Sequence, residues 1–380
     1  MTRENVIFEV TKDHLQTGLR GVPVGFCSTS YVDATKGLFY AGRPIFELIT
    51  WKPIEVIYLL MHGEDATPET LQAFEKDINK RSEISLSLLE RIKTFPKDID
   101  PLILFSQALL NISQEEKTNN CKEDCLNLIA KAPTIVAAII NYLEDKQMPS
   151  IDIEKDYMHR FANLINVDCE KIIDLFNVIN ILHFDHGGGV ADAFVGKVVS
   201  SCKIDIFSSV AASMIAFNGA INGKASVQCL QFLRSLVEKS DDLSQELLAS
   251  AIHEKLENKE KIFGFGYPDL KSEDARATLL YNYARKHFPE HPLVKAALLY
   301  RYEGRKIFAE KKKSVFANID AISGAVLSAA GYEKEKFYPL ICGLARSVGV
   351  AIQIYHEKAS SYNEKDMRLI HPFYFYRSRG

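Results

Sequence analysis

Four short segments combine glycine with amide or titratable side chains and interrupt otherwise apolar stretches of the chain. They are residues 180–189, 218–226, 263–276 and 318–324. The first segment places His183, Asp185 and His186 within one helical turn. Such a cluster could move protons near neutral pH, but a histidine pair at a helix end is more often a hydrogen-bonded part of a core. Loops often carry function, so all four segments are site candidates.

The stretches between these segments have helical periodicity. Apolar residues with 3.6-residue spacing predict a buried helix that delivers the first cluster: Ile172, Leu175, Phe176, Ile179 and Leu182. Helices are also predicted at 53–61, from 67, and at 83–94, 101–110, 134–143, 171–182, 191–201, 207–217, 227–237, 245–257, 275–287, 293–311, 322–330 and 338–356. The one persuasive hairpin joins residues 26–32 and 38–41 through a turn at 33–37. The sequence therefore predicts an all-α fold with a short N-terminal β-hairpin region.

After Gly219 the predicted helices become longer and more highly charged. A chain of 380 residues is long enough for two domains. We therefore predict a large helical domain from residues 1–220 plus 326–380 and a small mobile helical domain from residues 221–325.

Composition excludes several classes of protein. Net charge is −3, with 25% charged and 47% hydrophobic residues, which is ordinary for a globular protein. This charge balance does not indicate nucleic-acid binding. No uninterrupted apolar run reaches the length of a membrane span. Of the seven cysteines, only Cys121 and Cys125 are close in sequence, without a second pair at zinc-site spacing. We expect no bound metal and a cytoplasmic location, or the matrix of an organelle after processing.

The order and spacing of five motifs resemble those of the citrate synthase family, over roughly residues 15–375, and in particular the bacterial-type dimeric citrate and 2-methylcitrate synthases. The motifs are 18–25 with 31–33, then Leu182-His183-Phe184-Asp185-His186-Gly187, then Gly264-Phe265-Gly266 with Lys271 and 273–278, then Asn318-Ile319-Asp320 with 323–327, and finally Ala345-Arg346-Ser347-Val348-Gly349. The resemblance implies a helical homodimer of two-domain subunits that close over oxaloacetate and acetyl-CoA. It implies no cofactor other than acyl-CoA as co-substrate.

The same resemblance implies catalytic roles for three residues. Asp320 matches the family's carboxylate base, which removes a proton from the thioester methyl group. Asn222, in Asn222-Gly223-Lys224-Ala225-Ser226, occupies the position of the histidine that holds the thioester oxygen. Tyr267 occupies the position of the second histidine, after Gly-Phe-Gly. Both replacements can donate a hydrogen bond, but an asparagine cannot transfer a proton as an imidazole does.

Binding residues are implied for both substrates. His186, Arg276 and Arg346 match the residues that bind oxaloacetate, and arginine is suited to gripping a carboxylate. His371 stands where the family has an arginine contributed by the partner subunit; nearby arginines that could compensate are Arg368, Arg377 and Arg379. Lys271, Gly264 and Gly266 match the CoA-binding segment, in which Pro268 and Asp269 replace a basic residue.

These substitutions leave three functions open. The first is a divergent acyltransferase that forms a carbon–carbon bond between an acyl-CoA and a 2-oxo acid other than oxaloacetate. The second is a catalytically inactive homologue that serves as a binding, regulatory or structural partner, with an active paralogue as its possible companion. The third is authentic citrate synthase activity. Asp320 and the two arginines that match oxaloacetate-binding residues, Arg276 and Arg346, are retained. Their retention favours the first function, because random drift would have altered residues throughout the site.

Overall fold

A computed structural model describes residues 7–118, 120–239, 243–267, 270–360 and 369–372. Sixteen α-helices and one small sheet are found in these ranges. The helices are α1 (Ile45–Leu48), α2 (Pro53–His62), α3 (Pro68–Lys80), α4 (Leu86–Lys93), α5 (Pro101–Glu115), α6 (Cys121–Leu143), α7 (Tyr157–Leu164), α8 (Glu170–His183), α9 (Ala191–Ser201), α10 (Ile206–Phe217), α11 (Ala225–Val237), α12 (Gln245–Glu257), α13 (Ala275–His287), α14 (Pro292–Glu310), α15 (Ser323–Ala329) and α16 (Tyr338–Ser360). The predicted all-α class is confirmed.

The predicted hairpin is present and lies against the candidate site. Strands β1 (Ser30–Asp33) and β2 (Gly37–Tyr40) pair antiparallel, and a short β3 (Arg43–Pro44), which was not predicted, adds to β2. The Asp33 carboxylate accepts hydrogen bonds from the backbone of Thr35 and Lys36, at 2.9 and 2.8 Å, which closes the turn. Gly37 has a φ of +88°, and a Cβ there would lie 2.6 Å from Ala275 Cβ at the start of α13. The turn therefore needs glycine twice over, for its backbone conformation and for its packing.

The two longest helices, α6 and α16, form the centre of the core. By length and composition, two segments could cross a membrane, but 83% of the apolar window in Cys121–Leu143 and 100% of that in Glu335–Ala359 are buried inside the fold. The prediction of a helix at 134–143 was wrong about its start, because α6 begins at Cys121 and runs through Pro133. Buried packing holds the helix together across the proline. Helix α7 was also missed by the sequence pattern.

Helices α8, α9 and α10 carry the first two candidate segments, and α11 to α15 carry the remaining two. The helices α11, α13, α14 and α15 pack on one another, and α11 also contacts α16. One continuous apolar cluster runs through both groups of helices. The division into domains at residues 221 and 325 stays a prediction.

Candidate active site

One large cleft, of about 970 Å³, brings the four candidate segments together. Its walls come from the N-terminal residues 17–24, the end of α8, the start of α9, and the turns before α11 and α13. Predicted site residues that line it are Asn222, Gly264, Gly266, Tyr267, Arg276, Asp320 and Arg346. Residues separated by more than a hundred positions in sequence therefore share one cavity.

Asp320 is presented to the cleft by a single 3-10 turn, Ile319–Ala321. Asn318 caps this turn, because its side-chain oxygen accepts a hydrogen bond from the Asp320 backbone at 3.0 Å while its amide donates to the Gly266 carbonyl at 3.1 Å. Burial raises the pKa of Asp320 to about 6, although the nearby Arg276 opposes the rise. A carboxylate with this pKa is mostly ionised at pH 7 yet more basic than an exposed aspartate. It is suited to removing a proton.

Asp274 contacts both Arg276 and the turn that carries Asp320. Asp274 is the N-cap of α13. Its carboxylate accepts hydrogen bonds from Arg276 Nη2 at 2.7 Å, from Arg276 Nε at 3.1 Å and from the Ile319 backbone N–H at 3.3 Å. Arg276 is buried, and the carboxylate beside it raises its pKa well above the ordinary value. One buried acid thus fixes both the guanidinium and the turn that carries Asp320.

Asn222 faces a buried acid that the sequence patterns did not single out. Its Nδ2 donates to Asp192 Oδ1 at 3.2 Å, and Asp192 is 2% exposed in the first turn of α9. The other carboxylate oxygen of Asp192 lies 3.5 Å from Arg346 Nε, an ion pair without a hydrogen bond. Asp192 therefore lies between the residue expected to hold the thioester oxygen and a clamp arginine.

His186 is held by a rigid loop after α8. The Asp185 carboxylate accepts hydrogen bonds from the His186 and Gly187 backbones and from Thr29 Oγ1, the last at 2.6 Å. Asp185 is thus a structural residue. His186 itself is buried, and neither ring nitrogen has a hydrogen-bond partner within the described residues. Burial and two nearby arginines lower its pKa far below the ordinary value, so the ring is neutral.

Tyr267 packs edge-on against His186, with ring centroids 4.6 Å apart and an interplanar angle of 69°. Burial raises the pKa of the tyrosine well above its ordinary value, so its hydroxyl stays protonated and can donate a hydrogen bond. His183, at the end of α8, has Nδ1 2.8 Å from the Ile179 carbonyl, and burial lowers its pKa to about 3. Because the carbonyl can only accept, Nδ1 carries the proton and Nε2 is an acceptor.

Other predicted binding residues lie at or beyond the edge of the cleft. Lys271 is exposed and does not line the cavity, while its backbone N–H donates to the Ala34 carbonyl in the hairpin turn at 2.8 Å. His371 is exposed and is also absent from the cleft wall of this chain; its assignment to a partner's site stays a prediction. Five residues named from the motifs lie outside the described residues: Pro268, Asp269, Arg368, Arg377 and Arg379.

Two cations to which the sequence assigned no binding role lie at the exposed rim of the cleft. They are Arg20 and Lys261. Lys261 also contacts the ring of Phe263 at 5.5 Å and lowers the pKa of Asp320 against the larger effect of burial. Only their position on the folded surface reveals them. Within the described residues, no group of three histidine, cysteine or acidic side chains is arranged to hold a metal.

Comparison with known proteins gives a consistent result. The family model described as "Citrate synthase, C-terminal domain" matches residues 18–372. The peroxisomal citrate synthase of Saccharomyces cerevisiae is 27% identical over 93% of this chain and 83% of its own length, and the mitochondrial enzyme of the same yeast is 28% identical over 94% and 80%.

Solved structures share the fold. Citrate synthase from Thermotoga maritima matches with a TM-score of 0.84 at 23% identity, covering 96% of each chain. Citrate synthase from Thermoplasma acidophilum, solved as a ternary complex with carboxymethyl coenzyme A and oxaloacetate, matches with a TM-score of 0.86 at 22% identity, again over 96% of each chain. Since the family model covers most of the sequence and the cleft gathers the expected motifs, the chain belongs to the citrate synthase family.

Proposed function

We propose that the chain is a Claisen-type acyltransferase that joins an acyl-CoA to a 2-oxo acid other than oxaloacetate. The observation that carries this proposal is the cleft carboxylate, Asp320, whose pKa is raised to about 6, in one cavity with Arg276 and Arg346. A base for a carbon acid and cations for a carboxylate are what such a condensation needs.

Asp320 would remove a proton from the carbon next to the thioester carbonyl. The electron pair left behind moves onto the thioester oxygen and forms an enolate. Asn222 lies on the same cleft wall, and its amide has a second hydrogen besides the one given to Asp192. That hydrogen can stabilise the enolate oxygen, as amide donors do in oxyanion holes. The amide supplies a dipole and no proton.

The enolate carbon would then attack the ketone carbon of the 2-oxo acid, which forms the carbon–carbon bond and places the ketone electron pair on oxygen. Tyr267 keeps its hydroxyl proton and can donate a hydrogen bond to this oxygen. The oxygen then takes a proton from water to become the product hydroxyl, and Asp320 returns the proton it removed to the hydroxide left behind.

Arg276 and Arg346 line the cleft and can bind the oxo acid. His186 is buried behind the cleft wall, against Tyr267, and its contact with the oxo acid stays a prediction. Water attack on the thioester carbonyl would release CoA as a thiol. Arg20 and Lys261 at the rim would face the CoA phosphates, alongside the glycines Gly264 and Gly266.

The substrates of the Thermoplasma acidophilum complex, a coenzyme A derivative and oxaloacetate, support these two classes of ligand. The two yeast relatives are peroxisomal and mitochondrial enzymes, which supports an organelle matrix as the location, with the cytoplasm as the alternative. We further propose a homodimer, or a pair with an active paralogue, in which His371 reaches the neighbouring cleft.

Proton exchange at the methyl group of acetyl-CoA tests the proposal. The protein is placed in heavy water with acetyl-CoA, with and without a panel of 2-oxo acids, and NMR follows loss of the methyl signal. We expect exchange that one oxo acid stimulates, that disappears in Asp320→Asn, and that falls about tenfold from pH 7 to pH 5 for a base with a pKa of about 6.

A second candidate is an inactive homologue that binds these ligands or a partner without turnover. What supports it is the sequence resemblance, which places Asn222 and Tyr267 at both positions where the family has catalytic histidines and so leaves no imidazole there for either substrate. Exchange no faster than in Asp320→Asn, with every oxo acid tested, would establish this alternative and refute the acyltransferase.

A further inference from the structure

Asp192 is a buried acid of the cleft that the proposed chemistry does not use. It is 2% exposed, lies in the first turn of α9 and lines the cavity. Its Oδ1 accepts from Asn222, and its Oδ2 has no hydrogen-bond partner among the described residues while lying 3.5 Å from Arg346 Nε. A buried carboxylate that is only partly satisfied is costly, so its position calls for a functional reason.

Arg276 and Arg346, the two arginines expected to bind the oxo acid, each lie beside a buried carboxylate of the protein. Asp274 occupies the Nε and Nη2 edge of Arg276 through two hydrogen bonds, and Asp192 lies against the Nε side of Arg346. Arg346 keeps Nη1 without a protein partner in the described part of the chain. The two guanidinium charges are therefore matched by two buried carboxylates before any substrate binds.

The remaining titratable groups add little positive charge to the inner cleft. His183 and His186 are neutral, because burial and the arginines lower their pKa values. Lys261 stays exposed at the rim, on the side of Asp320. A substrate carboxylate that enters must share Arg346 with Asp192, and a second carboxylate would add an uncompensated charge in a buried site.

We infer that Asp192 is a specificity-determining residue that adapts the cleft to a 2-oxo acid with a single carboxylate and disfavours 2-oxo dicarboxylates. This inference rests on the proposed function and names its acceptor class. One carboxylate binds the guanidinium of Arg346, which lines the cleft, and the negative charge of Asp192 repels a second. Asp192 also orients Asn222, since a carboxylate can only accept and so selects the amide nitrogen.

Calorimetric titration tests the inference without requiring turnover. The probes are pyruvate and 2-oxobutyrate as monocarboxylates, and 2-oxoglutarate and oxaloacetate as dicarboxylates. We expect the natural protein to bind at least one monocarboxylate more tightly than either dicarboxylate. In Asp192→Asn, and in the smaller Asp192→Ser, the ratio of the two Kd values should shift at least about tenfold towards dicarboxylates, the effect of one charge at this distance. Asp168→Asn is the matched control, because Asp168 is exposed and lies outside the cleft wall.

Tighter binding of a dicarboxylate by the natural protein would overturn the inference, as would an unchanged ratio in both folded Asp192 variants. Methyl proton exchange separates this failure from that of the proposed function. Asp320-dependent exchange without monocarboxylate preference refutes only the role of Asp192. If the protein prefers monocarboxylates, loses that preference in the Asp192 variants and shows no methyl proton exchange, then only the acyltransferase proposal is refuted.

Discussion

Replacing Asp320 by asparagine should stabilise the protein in a way that depends on pH. The folded protein raises the pKa of Asp320 from 3.8 to about 6. Above pH 6 the group is ionised in both the folded and the unfolded state, and its burial costs the folded state about 3 kcal/mol. Below pH 3.8 it is protonated in both states and the cost vanishes. Stability due to this group is therefore lost as the pH rises from about 4 to 6.

Asparagine has nearly the same shape and carries no charge, so the cost is absent in the variant at every pH. From the two pKa values, Asp320→Asn should exceed the natural protein in free energy of unfolding by about 1 kcal/mol at pH 4.5 and by about 3 kcal/mol at pH 8. Urea unfolding followed by circular dichroism at the two pH values measures both differences. The variant should also lose methyl proton exchange completely.

The exposed Asp168→Asn provides the control, with a change within about 0.5 kcal/mol at both pH values. If Asp320→Asn gives the same difference at pH 4.5 and pH 8, or is the less stable protein at pH 8, then Asp320 does not have a raised pKa. The account of it as a tuned base would then be wrong.

Three further substitutions test individual parts of the site. Asn222→Ala removes the amide donor and should slow methyl exchange about 10²-fold, with Kd for acetyl-CoA, from titration, changed less than about threefold; a normal exchange rate would contradict the enolate role. Tyr267→Phe should leave exchange intact but slow condensation about 10²-fold or more in a product assay, and equal loss of both steps would place the hydroxyl in the wrong half-reaction. Gly264→Ala should lower the free energy of unfolding by more than about 2 kcal/mol, because φ is +81° and the new Cβ would lie 2.7 Å from Ala321 Cα; Gly25→Ala, with open space around it, should be neutral.

The helices and the motif residues could be predicted because both are local properties of the sequence. Apolar periodicity gave α9, α12 and α13 with their observed bounds. It failed at α6, where Pro133 lies inside a helix held by burial on all sides, and at the short α7. In both cases tertiary packing, which periodicity does not include, decides the outcome.

The candidate site was predictable only where a motif marks it. Asp192 escaped notice because an acid in the first turn of a helix is common and favourable there, and its partners are distant in sequence, 30 residues away in the case of Asn222. Lys271, which the motif indicates, is exposed outside the cleft, whereas Lys261 lines it. Which of several nearby lysines faces a cavity depends on the turn geometry around Gly264 and Gly266 and cannot be read from spacing.

Asn222 and Tyr267, which the sequence resemblance places at the family's histidine positions, both have partners in the fold. In a site under no functional constraint, substitutions would leave some buried polar groups without hydrogen-bond partners. Each such group costs about 1–3 kcal/mol. Here Asn222 is hydrogen-bonded to Asp192, and Tyr267 packs on His186 in a favourable edge-on geometry. Among the residues that line the cleft, the buried polar atoms without a partner in the described part of the chain are on Asp192 and Arg346; others lie elsewhere in the fold, as on Arg160 and Asn180. A carboxylate that enters the cleft can satisfy the guanidinium of Arg346, so these atoms favour a site that still binds a ligand, which an acyltransferase and a binding homologue would share.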